Sequence, residues 1–194
     1  MLKQQKIWDL VTRLWHWVLV FSVTTAWIFG EYMSFDNVDW HFYLGYLTLG
    51  LIAFRIVWGI FGPGTVRFKN FFPTPLKIFS YTKTLFHRSP SGMAGHNPLG
   101  AAWIYTMLIL LFVEAGSGLF IDTDDFFENG PLFNYASDAT IKTMRGIHYI
   151  CSNVLLGMVI LHVSIVVFYL LWKKENLVKP MITGWKWVKD RDQH

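Results

Sequence analysis

Four long apolar stretches, separated by polar connections, constrain this chain more than any other feature of its sequence. They cover residues of about 14–29, 41–61, 101–121 and 147–172. Each is close to the about 20 residues that a helix needs to cross the hydrocarbon core of a bilayer. Only 15% of the 194 residues are charged, against about a quarter in a typical soluble domain. We therefore predict an all-α fold, an integral membrane four-helix bundle in which residues 1–194 form a single domain.

The charged residues of the connections predict the orientation of this bundle. Basic residues are concentrated in the N-terminal segment, in the connection between the second and third stretches, and in the C-terminal tail. The other two connections hold two basic residues, Lys142 and Arg145, and eight acidic ones, Glu31, Asp36, Asp39, Asp122, Asp124, Asp125, Glu128 and Asp138. The positive-inside rule then places both termini in the cytoplasm. No small-residue cleavage site follows the first stretch, so we predict a retained helix there and not a signal peptide.

The long basic connection contains a candidate surface helix over residues 75–87. Pro75 is suited to the first turn of a helix, and Leu76, Phe79 and Phe86 would then share one side. Lys77 and Lys83 can face water. This pattern is typical of a helix that lies on the membrane surface, and a basic loop without helical structure is the alternative.

Cysteine usage limits the cofactors that this chain can hold. Cys151 is the single cysteine, which excludes an intramolecular disulfide and any iron–sulfur or zinc cluster that needs several cysteines. No CxxCH motif is present. Any haem is therefore bound without thioether bonds.

Four of the seven histidines, His16, His41, His148 and His162, lie in or at the rims of the apolar stretches. Ionisable side chains inside a membrane are costly and usually mark function. The alternative for any single histidine is a hydrogen bond between two helices, without a ligand. His148 and His162 are fourteen positions apart on the fourth stretch. In a helix they point within about 40° of each other and lie about 21 Å apart along the axis. This spacing suits two stacked haems, each of which needs two axial ligands.

The direction of each helix predicts how the histidines pair. The first helix rises from the cytoplasm with His16 near its inner end, and the second descends with His41 near its outer end. We therefore pair His41 with His148 around an outer haem, and His16 with His162 around an inner one. A tilted or protruding fourth helix is required, because counting back from Lys173 places His162 deeper than His16. A zinc site would need three or four ligands at one point, whereas these histidines form two distant pairs, so zinc is the weaker interpretation.

Further residues near these depths are candidates for contacts with haem. Arg13 and Arg55 on the inner side and Arg145 on the outer side can neutralise propionates, or the inner ones can simply obey the positive-inside rule. Glu114, on the third helix, can relay protons, orient a ligand or hydrogen-bond in its neutral form. Glycines on three of the helices leave space for a porphyrin or for close helix packing: Gly45, Gly50, Gly116, Gly118 and Gly157. We expect His87, His96 and His194 not to be ligands, and we assign no catalytic side chain.

Longer motifs connect these residues to a known group of proteins. They are WDLVTRLWHW around His16, HFYLGYLTLGLIAFRIVWGIFG from His41, GHNPLGAAW before the third stretch, and GIHYICSNVLLGMVILHVSIVVFYLLWKKENLVKPMITG around His148 and His162. In their order and spacing the chain resembles a bacterial di-haem cytochrome b of the b561 type, a group that includes the b-type cytochrome subunits of nickel–iron hydrogenases. The resemblance covers nearly the whole chain. It implies that the four histidines are the axial ligands of two non-covalent b haems.

The expected function is electron transfer across the bacterial inner membrane between the quinone pool and a periplasmic partner, either a c-type cytochrome or a hydrogenase-like enzyme. The acidic outer connections favour a basic partner. The expected binding partners are membrane lipid, quinone and that periplasmic protein. We expect no binding to nucleic acid. The resemblance also permits a stand-alone superoxide:quinone oxidoreductase, although acidic loops disfavour an anionic substrate. A non-redox membrane scaffold or transporter is the third alternative, and it leaves the histidine spacing unexplained.

Overall fold

The computed structural model describes residues 2–90, 92, 93, 95–123, 126 and 128–189. Its elements in chain order are β1 (Leu2–Lys6), α1 (Leu10–Glu31), α2 (Val38–Phe61), α3 (Pro75–Thr82), α4 (Pro98–Gly118), α5 (Asp138–Leu171), α6 (Val178–Thr183) and β2 (Trp185–Lys189), with short 3-10 turns at Phe68–Asn70 and Phe133–Tyr135. Three residues discussed above, Asp124, Asp125 and His194, lie outside the described residues.

Each predicted apolar stretch coincides with one long helix, so the largely helical fold is confirmed. By length and composition α2, α4 and α5 are apolar enough to cross a membrane. Helix α1 is not among these candidates, and Arg13, His16 and Glu31 are the charged or ionisable residues in it. The presence of four spans and the orientation of the termini stay predictions.

Local hydrogen bonds explain where two of the long helices begin. At the start of α1, Asp9 accepts hydrogen bonds from the Thr12 N–H at 2.9 Å and from the Thr12 hydroxyl at 2.6 Å, which is the usual arrangement of an N-cap. At the start of α5, the Ser137 hydroxyl accepts from the Thr140 N–H at 3.3 Å. Helix α5 therefore begins at Asp138, nine residues before the predicted 147. The polar first turns of α5 concealed this extension, and the tilt or protrusion of the fourth helix that the depth of His162 requires stays a prediction.

The candidate surface helix is shorter than predicted. Helix α3 occupies Pro75–Thr82, and two turns follow it, closed by bonds from Thr84 N–H to Tyr81 O and from Leu85 N–H to Thr82 O. The side chains of Leu76 and Phe79 are 78% and 62% exposed in the chain alone. Its position on the membrane surface stays a prediction.

The chain divides into two compact units, which are described separately. The terminal unit comprises residues 1–15, 56–106 and 159–194, and the middle unit comprises residues 16–55 and 107–158. In the terminal unit β1 pairs with β2 as an antiparallel two-stranded sheet, with Gln4 opposite Trp187. Ile7, Trp8, Val66 and Val188 form a buried cluster in this unit. The sequence did not predict this sheet.

Aliphatic residues from all four long helices form the core of the middle unit. Ile52, Leu111 and Leu155 are buried together, and partly buried leucine and valine side chains pack against them. A polar contact joins α1 to α2 in the same unit. The fully buried Ser22 hydroxyl donates to Leu44 O at 3.0 Å or shares a hydrogen bond with the Thr48 hydroxyl, also at 3.0 Å. These contacts fix the helices that carry the candidate ligands.

Candidate functional site

His41 and His148 lie next to each other in the middle unit. His41 comes from the first turn of α2 and His148 from the third turn of α5. The centroids of the two imidazole rings are 6.2 Å apart, and the ring planes are inclined at 78°. Of the two histidine pairs predicted from the sequence, this is the one that lies within a single unit.

Each of these imidazoles uses its Nδ1 atom in the same way. His41 Nδ1 is 2.8 Å from Ala26 O on α1, and His148 Nδ1 is 2.9 Å from Glu114 O on α4. A carbonyl oxygen only accepts hydrogen bonds, so both Nδ1 atoms carry the proton. In a neutral ring with this tautomer, Nε2 keeps a lone pair. A histidine that binds a metal has this arrangement, with one ring nitrogen as ligand and the other as donor to a fixed acceptor.

The separation of the two rings fits one metal ion held between them. An imidazole nitrogen binds a metal at about 2.0–2.1 Å and lies about 1.1 Å from its ring centroid, so two rings on opposite sides of one ion have centroids about 6 Å apart. The observed separation is 6.2 Å. The centroid separation thus matches the value expected for two imidazoles that share one metal ion.

Glu114 and Ser117 complete the surroundings of His148. Glu114 Oε1 is 3.5 Å from His148 Nε2, and Glu114 Oε2 is buried without a hydrogen-bond partner among the described residues. With a neutral His148 ring of this tautomer, a hydrogen bond at Nε2 requires a protonated carboxyl as the donor. The Ser117 hydroxyl donates to Glu114 O at 2.8 Å and lies 3.3 Å from His148 Nδ1. Sequence reasoning had selected Glu114 but not Ser117.

The second predicted pair is divided between the units. His16 belongs to the middle unit, is partly buried and contacts the ring edge of Trp17, with centroids 5.3 Å apart. His162 belongs to the terminal unit and is exposed in the chain alone. The pairing of His16 with His162 stays a prediction.

The three candidate arginines occupy different surroundings. Arg13 donates to the carbonyl oxygen of Ile182 in the terminal unit. Arg55 is 3% exposed and lies in the last third of α2. Arg145 forms an ion pair with Asp122. The carbonyl and the carboxylate occupy part of the hydrogen-bonding capacity of Arg13 and Arg145, and the propionate role of all three stays a prediction.

The remaining described histidines lie apart from His41 and His148. His87 is exposed in the connection after α3. His96 packs between the rings of Trp8 and Phe71, with centroids at 4.6 and 4.7 Å. No group of three or more histidine, cysteine, aspartate or glutamate side chains with metal-binding geometry occurs among the described residues.

Backbone atoms escaped the sequence analysis. The carbonyl oxygens of Ala26 and Glu114 hold the two imidazoles, and a carbonyl is common to every residue type, so no pattern of letters marks it. Gly30 was also missed. On both α1 and α4, a glycine lies four positions after the residue whose carbonyl accepts the hydrogen bond. This shared spacing was the signal available in the sequence.

Comparisons with known proteins agree with the resemblance noted in the sequence. A family model described as prokaryotic cytochrome b561 matches residues 7–184. The chain is 24% identical to a protein named probable Ni/Fe-hydrogenase B-type cytochrome subunit of Azotobacter vinelandii, over 95% of this chain and 89% of that protein. The protein of the same name from Rhizobium leguminosarum bv. viciae is 23% identical over 96% of this chain and 90% of its own length. No solved structure matches the chain significantly.

Proposed function

The chain belongs to the prokaryotic cytochrome b561 family, and on that premise we propose that it transfers electrons across the bacterial inner membrane through two b haems. The observation that carries this proposal is the placement of His41 and His148, with ring centroids 6.2 Å apart and each Nδ1 bonded to a helix carbonyl. Bound between these rings, a haem supplies reversible one-electron chemistry. The protein holds the two imidazoles and sets their basicity through the carbonyls of Ala26 and Glu114.

A second haem is proposed between His16 and His162. His162 lies on α5 with His148, and the helical rise separates the two residues by about 21 Å along the axis. Ligands that far apart on one rigid helix cannot serve the same iron. The proposal therefore requires two cofactors, each bound by its own pair of histidines.

Pairing of the two terminal strands supports an even number of membrane crossings. Strand β1 precedes the first long helix, and β2 follows the last one, yet Lys3 lies opposite Val188 in one sheet. Two strands on opposite sides of a bilayer cannot form such a sheet. With three helices that are apolar enough to cross, an even number requires a further crossing, which we assign to α1. The basic N-terminal and C-terminal segments then favour a cytoplasmic position for the sheet.

The proposed partners are quinone and a periplasmic redox enzyme. The relatives named as probable Ni/Fe-hydrogenase B-type cytochrome subunits match over about nine-tenths of their own length, which favours a hydrogenase-like partner over a c-type cytochrome. The acidic residues between α1 and α2 and between α4 and α5 favour a basic docking surface on that partner, because complementary charges accelerate association.

Reduced-minus-oxidised absorption spectra of the purified chain test this proposal. We expect sharp alpha and beta bands of low-spin b haem in the wild type. His41→Ala and His148→Ala should each remove the same fraction of that signal, because a haem iron with one axial imidazole missing is no longer low-spin or is lost. His87→Ala, in which an exposed histidine is replaced, serves as the matched control and should keep the full signal. A wild-type chain without haem, or equal losses in all three variants, would contradict the proposal.

A further inference from the structure

The two imidazoles are held by the same local arrangement on two different helices. On α1, the acceptor carbonyl belongs to Ala26 and the residue four positions later is Gly30. On α4, the acceptor carbonyl belongs to Glu114 and the residue four positions later is Gly118. In a helix, residue i+4 lies one turn above residue i on the same face. Each glycine thus lies beside the carbonyl that its imidazole reaches.

An added methyl group at either glycine would meet the imidazole itself. A Cβ at Gly30 would lie 3.0 Å from His41 Cε1 and 3.2 Å from His41 Nδ1. A Cβ at Gly118 would lie 3.2 Å from His148 Cε1 and 3.5 Å from His148 Nδ1. The nearest approaches are shorter than ordinary van der Waals contacts, so the ring must shift by some tenths of an ångström. Nδ1 is the atom that such a shift draws away from the carbonyl.

Other helical glycines of the middle unit have no such neighbour. A Cβ at Gly45, Gly116 or Gly146 would meet nothing within 4 Å in the part of the chain that the structure describes. Alanine is favoured over glycine inside a helix by about 0.5–1 kcal/mol. The close approach of an imidazole therefore explains why positions 30 and 118 hold glycine. General helix packing does not explain it.

We infer that Gly30 and Gly118 are positioning residues for the axial imidazoles: each lets a histidine ring come close enough to donate from Nδ1 to a helix carbonyl. This inference rests on the proposed function, in which His41 and His148 bind one haem. The space at the two glycines permits the observed orientation of the rings, which are inclined at 78°. The Nδ1–H bonds make the imidazoles more basic, which would favour the ferric state of a bound haem and lower its reduction potential.

Substitution of the glycines tests this role, because no side-chain change can remove a backbone carbonyl. We expect Gly30→Ala and Gly118→Ala to weaken haem retention about 10-fold to 100-fold, as for other groups that orient metal ligands. The haem that remains should titrate at a higher potential, and its low-spin electron paramagnetic resonance signal should change, because that signal depends on the angle between the axial ring planes. Gly146→Ala, two residues before His148, is the matched control and should change neither property.

A double-variant comparison separates the imidazole contact from a general effect on folding. In a His148→Ala background the ring is absent, so Gly118→Ala should no longer lower the thermal stability of the purified chain in detergent, and alanine should be neutral or stabilising there. The inference is overturned if Gly118→Ala is equally destabilising in both backgrounds. It is also overturned if the wild type binds low-spin haem and both glycine variants keep its potential and resonance signal. A wild type without low-spin haem would instead remove the proposed function.

Discussion

The middle and terminal units satisfy their buried polar groups in different ways. In the middle unit, two neutral imidazoles donate to backbone carbonyls on neighbouring helices. In the terminal unit, Lys186 and Glu175 form an ion pair at 2.8 Å, with side chains that are only 11% and 6% exposed. Neutral donors hold ligands at a low desolvation cost, whereas a buried ion pair makes the local fold depend on both partners. The difference separates the residues that we propose as cofactor ligands from the residues that hold the two terminal strands in place.

Further contacts of the terminal unit also hold distant segments of the chain together. Lys173, which is 3% exposed, donates to Thr84 O at 3.3 Å and to Leu85 O at 3.1 Å. The Trp172 indole N–H donates to Phe86 O at 3.0 Å. Both contacts bind the end of α5 to the turns after α3. Substitutions in this unit should therefore change stability more than they change the spectrum of the haem that we propose between His41 and His148.

Removal of the proposed axial ligands should give the largest effect and is the sharpest test of the comparison. His41→Ala, His148→Ala and the double variant should all lose the same haem, so the haem-to-protein ratio should fall from about two to about one in each, since each haem needs two axial ligands. His16→Ala and His162→Ala should lose the other haem. Pyridine haemochrome assays give the ratio, and redox titration identifies which haem remains.

The pairing is wrong if His16→Ala and His148→Ala lose the haem of the same potential. A ratio near one in the wild type would remove the second haem altogether. Additive losses in the His41→Ala and His148→Ala double variant would mean that these two residues do not share an iron, because removal of two ligands of one site costs no more haem than removal of one.

The helices and histidines of the middle unit were accessible from sequence because periodic patterns specify them. Apolar runs located the four long helices to within a few residues, except at the N-terminus of α5. The depths of His41 and His148 in these helices predicted their proximity. The Gly30 contact was not predicted, since a glycine near a helix end is also a common feature of chain termination.

The terminal unit was less accessible because its contacts join residues far apart in the chain. The strands LKQQK and WKWVK contain five residues each and are separated by almost the whole sequence. The Arg13 contact with Ile182 O joins residues 169 positions apart. Nothing in the neighbourhood of Arg13 distinguishes a bond to a carbonyl from a bond to a haem propionate. Only the three-dimensional pairing of the chain ends specifies this unit.

Breaking the buried ion pair should give the next largest effect. Lys186 also donates to Met93 O at 3.2 Å, so Glu175→Gln leaves a buried ammonium group with a neutral acceptor only. Removal of one partner of a buried ion pair typically costs about 3–5 kcal/mol. We expect a lower midpoint of thermal unfolding in detergent and an unchanged alpha band at room temperature. A Lys186→Met, Glu175→Leu double variant should recover most of the loss. A loss of haem at temperatures where the chain stays folded would contradict the separation of roles between the units.

A hydrogen bond between α1 and α2 gives a smaller effect in the middle unit. Ser22→Ala removes the hydroxyl that contacts Leu44 O and the Thr48 hydroxyl, and a buried group left without its partner costs about 1–2 kcal/mol. The midpoint of thermal unfolding should fall modestly. Ser80→Ala, at an exposed hydroxyl on α3, is the control and should leave it unchanged. An equal fall in both variants would show that the buried hydrogen bond contributes no more to stability than the exposed one.

The smallest expected effect depends on pH and lies in the terminal unit. The hydroxyl groups of Tyr81 and Tyr169 are 2.7 Å apart. Burial, and after it the hydrogen bond to Tyr169, raises the pKa of Tyr81 above its ordinary value. The folded chain therefore keeps Tyr81 protonated when an unfolded tyrosine ionises, near pH 10. The associated stability is fully present below that pH and is lost as the pH rises above it.

The effect of Tyr81→Phe on the free energy of unfolding should consequently change sign with pH. At neutral pH the variant loses the hydrogen bond to Tyr169, and its free energy of unfolding should fall by about 1 kcal/mol or less. Above pH 10 the wild type also loses about 1.4 kcal/mol for each pH unit, a loss that phenylalanine cannot undergo. Unfolding midpoints measured from pH 7 to 11 should therefore converge and then cross. Tyr135→Phe, at a side chain that is 87% exposed, should follow the wild type throughout. Parallel curves for wild type and Tyr81→Phe would mean that Tyr81 reaches solvent on opening of the α3 connection alone, before the terminal unit unfolds.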